Sequence, residues 1–330
     1  MPEPLKNIYT TAFFNQFSKA AKQVLPQFDQ KKFLAQVIDE DWETKELKQR
    51  MRHIASVLKE HLPGNYKKEI AFIISIINQL KRTNVKPGFE YLFLPDFIEQ
   101  YGLDDLKTSL AAIETITQFI SCEFAIRPLL IKYPGEVMKQ MLVWSKHPDH
   151  HVRRFSSEGC RPRLPWAMAI PQLKKDPSTI LPILENLKND ESLFVRKSVA
   201  NNLNDIAKDH PAVVFQLVKS WKGASENTDW IIRHGCRTLL KKADENIYSL
   251  FQLNGNAKCK VHELKLDKGD LKIGDRLGFS FVLQATNKEP AKLRVEYAVY
   301  YIKANGKQSR KLFQITEKVF EANTSHNFKK

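Results

Sequence analysis

Three stretches of the chain line up without gaps: VRRFSSEGC from Val152, VRKSVANNL from Val195 and IRHGCRTLL from Ile232, their starts 43 and 37 residues apart. A period near forty residues is the length of a helix pair that cannot cover its own apolar face and must stack against copies of itself. The surrounding sequence agrees with that reading. From Phe13 to about Leu253 apolar residues recur every three or four positions, as in EIAFIISIINQL and LKTSLAAIETITQFI, the spacing that lines one side of a helix. Pro63-Gly64, Pro87-Gly88, Pro134-Gly135 and Pro211 cut the region into helices of ordinary length.

Around Asn254 to Asn256 the periodicity changes. KVHELKL, LGFSFVLQA, LRVEYAVYYIKA and KLFQITEKVF alternate apolar with polar residues and favour β-branched and aromatic types. Asn305-Gly306-Lys307 has the chemistry of a hairpin turn, which implies antiparallel pairing. Four or five strands can be counted before Lys330, against the seven or so of an ordinary immunoglobulin-type sandwich. The expected fold is mainly α. A HEAT-like helical-repeat solenoid occupies residues 1–253, and a small all-β Ig-like sandwich, minimal or incomplete, follows over residues 257–330.

With 330 residues, 42% of them apolar, the chain is long enough to bury one large core or two ordinary ones. Its formal charge of +15 and pI near 9.5 favour a polyanionic partner, nucleic acid or an acidic membrane surface. Residues 257–330 hold 16 lysines and arginines against 8 acids, so they carry +8 of that charge and suit a second grip on a polyanion. No apolar run approaches the ~18 residues a membrane span requires, and MPEPLKNIYT lacks the layout of a signal peptide. A cytoplasmic protein without a membrane partner is expected. Cys122, Cys160, Cys236 and Cys259 form no C-x-x-C pair and are expected to be reduced thiols.

The segment His147 to Trp166, HPDHHVRRFSSEGCRPRLPW, gathers four arginines, three prolines, a glutamate and a tryptophan. On a helix beginning after Asp149, Arg154, Glu158 and Arg161 share a face, while Val152, Phe155 and Gly159 fall on the neighbouring one. RPRLP must leave the helix at Arg161. Arg161 and Arg163 are then expected from an extended segment, suited to phosphates or else part of a plain solvated charge cluster. Glu123 interrupts a helix that is otherwise uncharged from Glu114 to Arg127, so it is either ion-paired with Arg127 one turn on or functional. Asp205 shares a face with Ser198 and Asn202, opposite the packed stripe of Val199, Leu203 and Ile206. That face is either solvated or part of the surface the solenoid presents. Trp166 has three possible roles, a core anchor first, then a stacking surface for a base or a cation–π platform, and Trp230 shares the ambiguity. His147, His150 and His151 lack a metal-ligand spacing and suit helix capping or solvent exposure. A Gly-rich phosphate loop, a G-x-S-x-G elbow and an H-E-x-x-H motif are all missing from the sequence, which removes the usual footholds for nucleotide hydrolysis, serine hydrolase and zinc protease chemistry.

HVRR, SEG, RPRLPWA and, further on, LFVRKSVANNLNDIAKDHP together closely resemble the signature of the AlkC branch of the DNA alkylation repair glycosylases, a HEAT-like family that also includes AlkD. The distinctive likeness runs from about Asp104 to Leu253, and some members carry an Ig-like C-terminal domain. The resemblance implies a monofunctional glycosylase that removes cationic N-alkylated bases, chiefly 3-methyladenine with 3-methylcytosine as a second candidate, and leaves an abasic site. Glu123, Glu158 and Asp205 are the implied carboxylates, with Trp166 supporting the cationic lesion. Arg154, Arg161, Arg163 and Arg196 are the implied backbone contacts. The implied partner is double-stranded DNA containing alkylated bases, engaged by a monomer with no cofactor or metal. The alternative is a non-catalytic DNA-binding or HEAT-type scaffold protein, which would have little use for an acid in the apolar run around Glu123.

Overall fold

The computed structural model describes residues 3–253, 255, 257–272 and 274–330. Among these residues there are sixteen α-helices followed by five strands. The first eight helices are α1 (Thr11–Val24), α2 (Gln30–Val37), α3 (Leu47–His61), α4 (Tyr66–Arg82), α5 (Phe93–Tyr101), α6 (Leu106–Ile116), α7 (Ile126–Lys132) and α8 (Pro134–Trp144). They are followed by α9 (His150–Gly159), α10 (Pro171–Lys175), α11 (Leu181–Leu187), α12 (Leu193–Ile206), α13 (Pro211–Trp221), α14 (Glu226–Gly235), α15 (Arg237–Lys241) and α16 (Glu245–Leu250). Contacts divide the chain into two compact units, Met1–His210 with Trp221–Gly235, and Pro211–Ser220 with Cys236–Lys330. Of the stretch at which the sequence changes period, Asn254 and Asn256 lie outside the described residues.

Helix starts follow capping chemistry. Thr10, Asp29, Asn65 and Asp105 each accept an amide that the first turn of α1, α2, α4 and α6 leaves without a carbonyl. The prolines act in two ways. Pro63 and Gly64 separate α3 from α4, with Gly64 at φ +101°, whereas Pro134 and Pro211 open α8 and α13, where the missing amide is not needed. At the end of α5 a side chain is excluded. A Cβ on Gly102 would lie 2.3 Å from the Tyr66 hydroxyl, 2.4 Å from Ser109 Oγ and 2.8 Å from the Ile98 carbonyl oxygen. Gly102→Ala is therefore expected to destabilise the protein by about 1–3 kcal/mol, read as a lower denaturant midpoint.

The repeat is visible as α12 packed between α9 and α14, with α8 against α9 and α11 against α12 as the pair partners. Its signature arginine has a local job. Arg153 Nη1 donates to the carbonyls six and five residues back, His147 at 3.0 Å and Pro148 at 2.7 Å. Arg196 Nη1 repeats this at the same offsets, to Asp190 at 2.9 Å and Glu191 at 2.8 Å. Each arginine thus ties down the turn entering its own helix. The third segment departs from the pattern because it is divided, Ile232–Gly235 closing α14 and Arg237 opening α15.

In the second unit β2 (Phe279–Ala285) pairs antiparallel with both β1 (Cys259–Leu266) and β5 (Ser325–Lys329), and β3 (Ala291–Ile302) pairs antiparallel with β4 (Gln308–Phe320). Asn305-Gly306 makes the turn between β3 and β4, with Gly306 at φ +75°. Phe281, Leu283, Ala285, Ala291, Leu293 and Phe320 form the core between the sheets. Among the described residues no helix is long and apolar enough to cross a membrane.

Candidate active site

α9 begins at Asp149, whose carboxylate accepts the His151 and Val152 amides. Its apolar face buries Val152 and Phe155, and this turns Arg154 and Glu158 together onto the other side. The helix ends at Gly159, one residue before its Cys160 cap. Arg161, expected on an extended segment suited to phosphates or to a solvated charge cluster, instead folds back and is buried. Its Nη1 donates to Glu158 Oε1 at 2.7 Å and its Nε to Asp205 Oδ2 at 2.8 Å. The cause is electrostatic: Glu158 and Asp205 are both withdrawn from water, and a buried carboxylate without a partner would cost several kcal/mol. Burial alone would lower the pKa of Arg161, but Glu158 and Asp205 outweigh it and hold the guanidinium above its ordinary value.

Glu123 does not stand in a helix. α6 ends at Ile116, where the hydroxyl of Thr117 takes the Cys122 amide at 3.4 Å, a side-chain bond that competes with the helical ladder. Glu123 then sits in the turn before α7 and pairs with Arg154 Nη1 rather than with Arg127. Ser121 Oγ donates to Glu123 Oε2 at 2.8 Å and accepts from Arg154 Nη1 at 2.8 Å. Arg154 Nη2 also lies 3.5 Å from Glu158 Oε1, and Ser198 Oγ donates to Glu158 Oε2 at 2.6 Å. Asp205 continues the row to Lys208, 3.0 Å from its Oδ1. The result is an alternating line of charge, Glu123, Arg154, Glu158, Arg161, Asp205, Lys208, in which every carboxylate touches a cation. The polar face of α12 that carries Ser198, Asn202 and Asp205 is accordingly buried, not solvated.

A cavity of about 450 Å³ opens onto this line. Glu123, Glu158, Arg154 and Arg161 line it, whereas Asp205 stands behind Arg161 and is not among the lining residues. Its rim carries three exposed aromatic rings, Phe89, Trp166 and Phe194. Trp166 is 56% exposed, which overturns the core-anchor expectation, and its backbone is left-handed at φ +65°. The Trp166 and Phe89 ring centroids are 6.3 Å apart, and the Arg154 guanidinium lies over Phe194 at 4.9 Å. His151 also lines the cavity, and burial followed by the neighbouring His150 lowers its pKa. Phe89, Phe194 and Ser121 escaped the sequence reading. The only signal for Phe89 is its place directly after Pro87-Gly88.

The remaining residues singled out in the sequence lie elsewhere. Arg163 makes a surface pair with Asp209, Nη2 to Oδ1 at 2.7 Å. Arg196 is committed to its helix-entry turn and lies 5.9 Å over Trp230, which stacks on His234 with centroids 3.8 Å apart. His147 Nδ1 accepts the Asp149 amide at 3.0 Å, and among the described residues no three His, Cys, Asp or Glu side chains are grouped to hold a metal ion. Cys122, Cys160 and Cys236 are buried free thiols, and Cys259 is an exposed one.

A stack of helix pairs with a row of buried and half-buried acids and arginines beneath an aromatic-rimmed cavity defines a class that the comparisons identify. Residues 96–239 match the family described as DNA alkylation repair enzyme, and residues 260–330 match the family described as the C-terminal Ig-like domain of the uncharacterised protein YhaZ. The chain belongs to the DNA alkylation repair enzyme family, in the AlkC branch that carries an Ig-like C-terminal domain. Among particular proteins, it is 40% identical over 324 residues to the uncharacterized protein YhaZ of Bacillus subtilis (strain 168), covering 98% of this chain and 88% of that one. The structure of the Pseudomonas fluorescens alkylpurine DNA glycosylase AlkC bound to DNA containing an abasic site analog is similar with a TM-score of 0.90 and 34% identity, over 99% of this chain and 90% of that one.

Proposed function

We propose that the protein is a monofunctional DNA glycosylase that excises cationic N-alkylated bases, chiefly 3-methyladenine, from duplex DNA and leaves an abasic site. The observation that carries this reading is the pairing of two carboxylates, Glu123 and Glu158, with an exposed indole at one cavity. A base alkylated to a cation is already a good leaving group and needs no general acid. What the reaction does need is negative charge beside the sugar as oxocarbenium character develops, and fixed carboxylates in a partly dehydrated site supply it without reorganisation. The same carboxylates can accept a proton from the attacking water. Trp166 offers its π face to the cationic base.

Asp205 works through Arg161, which it holds against Glu158. Arg163 is the phosphate contact of this segment, since its surface pair with Asp209 is easily exchanged for a DNA oxygen. The +8 charge of residues 257–330 supplies a second, sequence-independent grip.

The test is mass spectrometry of bases released from methylated genomic DNA. Free 3-methyladenine is expected from the wild type, and a protein that binds duplex but releases no base would be a binding module instead. Duplex affinity is expected to fall by about 10³-fold or more between 50 and 200 mM salt if six or more phosphates are contacted. A flat salt response in a filter-binding titration would remove DNA as the partner.

A further inference from the structure

We propose that Arg127 is the positioning residue of the loop that presents Trp166, a single buried guanidinium that staples both feet of that loop; the assignment rests on the glycosylase reading above. α7 places Arg127 where it has no solvent exposure. From there Nη1 donates to the carbonyls of Gly159 at 3.2 Å and Arg161 at 3.0 Å, where the loop leaves α9. Nε donates to the Met168 carbonyl at 2.5 Å, beyond the tryptophan. One side chain therefore fixes the distance between the two ends of a turn that has Arg161 at its base and Trp166 near its tip.

Arg161 and the buried side chains of Pro162, Leu164 and Ile170 anchor the lower part of the loop, but the backbone around Trp166 has little else to define it. Pro162 and Pro165 contribute no amide, and the backbone bonds within the segment, Ala167 to the Leu164 carbonyl and Ile170 to the Pro162 carbonyl, are long at 3.3 and 3.5 Å. The indole is mostly exposed, so core packing does not place it. Its left-handed backbone is a conformation that persists only where the surroundings over-determine it. Arg127 supplies that constraint from the buried side, and Lys48 of α3 supplies a second by donating to the Trp166 carbonyl.

Placing a guanidinium here is expensive. Burial pushes its pKa down to about 10, its nearest bonds are to neutral carbonyls, and Nη2 has no hydrogen-bond partner among the described residues. An apolar side chain would fill the space at lower cost but could not hold three carbonyls at once.

The test is a double-mutant cycle on single-turnover base release from methylated duplex, using Arg127→Lys, Trp166→Leu and the pair, each assayed below its unfolding midpoint. Lysine keeps the charge but lacks the fork that spans both feet. Arg127→Lys is expected to slow the chemical step about tenfold or more with the KM for duplex unchanged, since misplacing a catalytic group by about 1 Å can cost up to 10²-fold. In the Trp166→Leu background the same change is expected to cost less than twofold. Equal losses in both backgrounds, a change confined to KM, or a lysine variant that cannot fold would each make Arg127 a fold residue and overturn the assignment, while base release by the wild type would stand. A wild type that releases no base would overturn the glycosylase reading and this assignment with it.

Discussion

Glu158→Gln is expected to slow the release of 3-methyladenine by at least about 100-fold, because electrostatic groups aimed at developing charge are worth 10²–10³ in rate when removed singly. Glu158 is the centre of the charged line. Its Oε1 receives Arg161 at 2.7 Å and faces Arg154 at 3.5 Å, and its Oε2 receives Ser198 at 2.6 Å. An amide has the same outline but turns one acceptor into a donor and removes the charge, so Arg161 and Arg154 each keep only one of their two carboxylates and the cavity loses half of its lining carboxylates. Stability falls as well, by about 1–3 kcal/mol, since a buried acceptor of three donors is replaced in part by a donor and the buried charge balance is lost. The rate comparison must therefore be made at a temperature where circular dichroism shows both proteins folded. Asp205→Asn is expected to cost less, about tenfold, because Asp205 reaches the cavity only through Arg161. Glu158→Gln releasing base at the wild-type rate would show that the charged line is an ion-pair lattice and nothing more.

The parts of this site that were legible in the sequence are those set by helix geometry. Arg154 and Glu158 are four residues apart on α9, and the capping aspartate and the two prolines mark where that helix starts and stops. Ser198, Asn202 and Asp205 share a face for the same reason. What spacing could not supply is the partner of each charge. Glu123 lies closer in sequence to Arg127 than to Arg154, yet α6 ends early and the turn that follows directs the carboxylate at α9. The arginines divide in the same way. Arg153 and Arg196 recur at the same place in the aligned repeats and serve the turns that enter their own helices, a role fixed by carbonyls five and six residues back that carry no side-chain signature. The prolines that follow Arg161 indicate that it leaves the helix. It does, and the two acids then decide the direction. In the strand region the alternation marks the strands and the Asn-Gly turn marks the β3–β4 hairpin, a local structure with local signals, whereas the pairing of β2 with β5 joins distant segments and carries none.

Trp166→Gly is expected to separate activity from stability, lowering the first and sparing or raising the second. The indole is 56% exposed, so its removal forfeits little buried area, and glycine occupies φ +65° without the penalty that a side chain carries there. The extra freedom of glycine in the unfolded chain works against this gain, so the net change is zero to about 1 kcal/mol of added stability. The backbone carbonyl that receives Lys48 is retained. Catalysis loses the π face, and a cation–π contact in a desolvated site is worth about 2 kcal/mol, or roughly 30-fold in rate. Trp166→Phe keeps a weaker π surface and is expected to recover part of that loss, while Trp166→Leu keeps the apolar bulk and is not. If the glycine variant were instead less stable by more than 1 kcal/mol in urea titration, the indole would be packing against Phe89 as a structural contact, and the strain at residue 166 would belong to the fold. If glycine and phenylalanine variants both released base as fast as the wild type, recognition of the cation would rest on Glu123 and Glu158 alone.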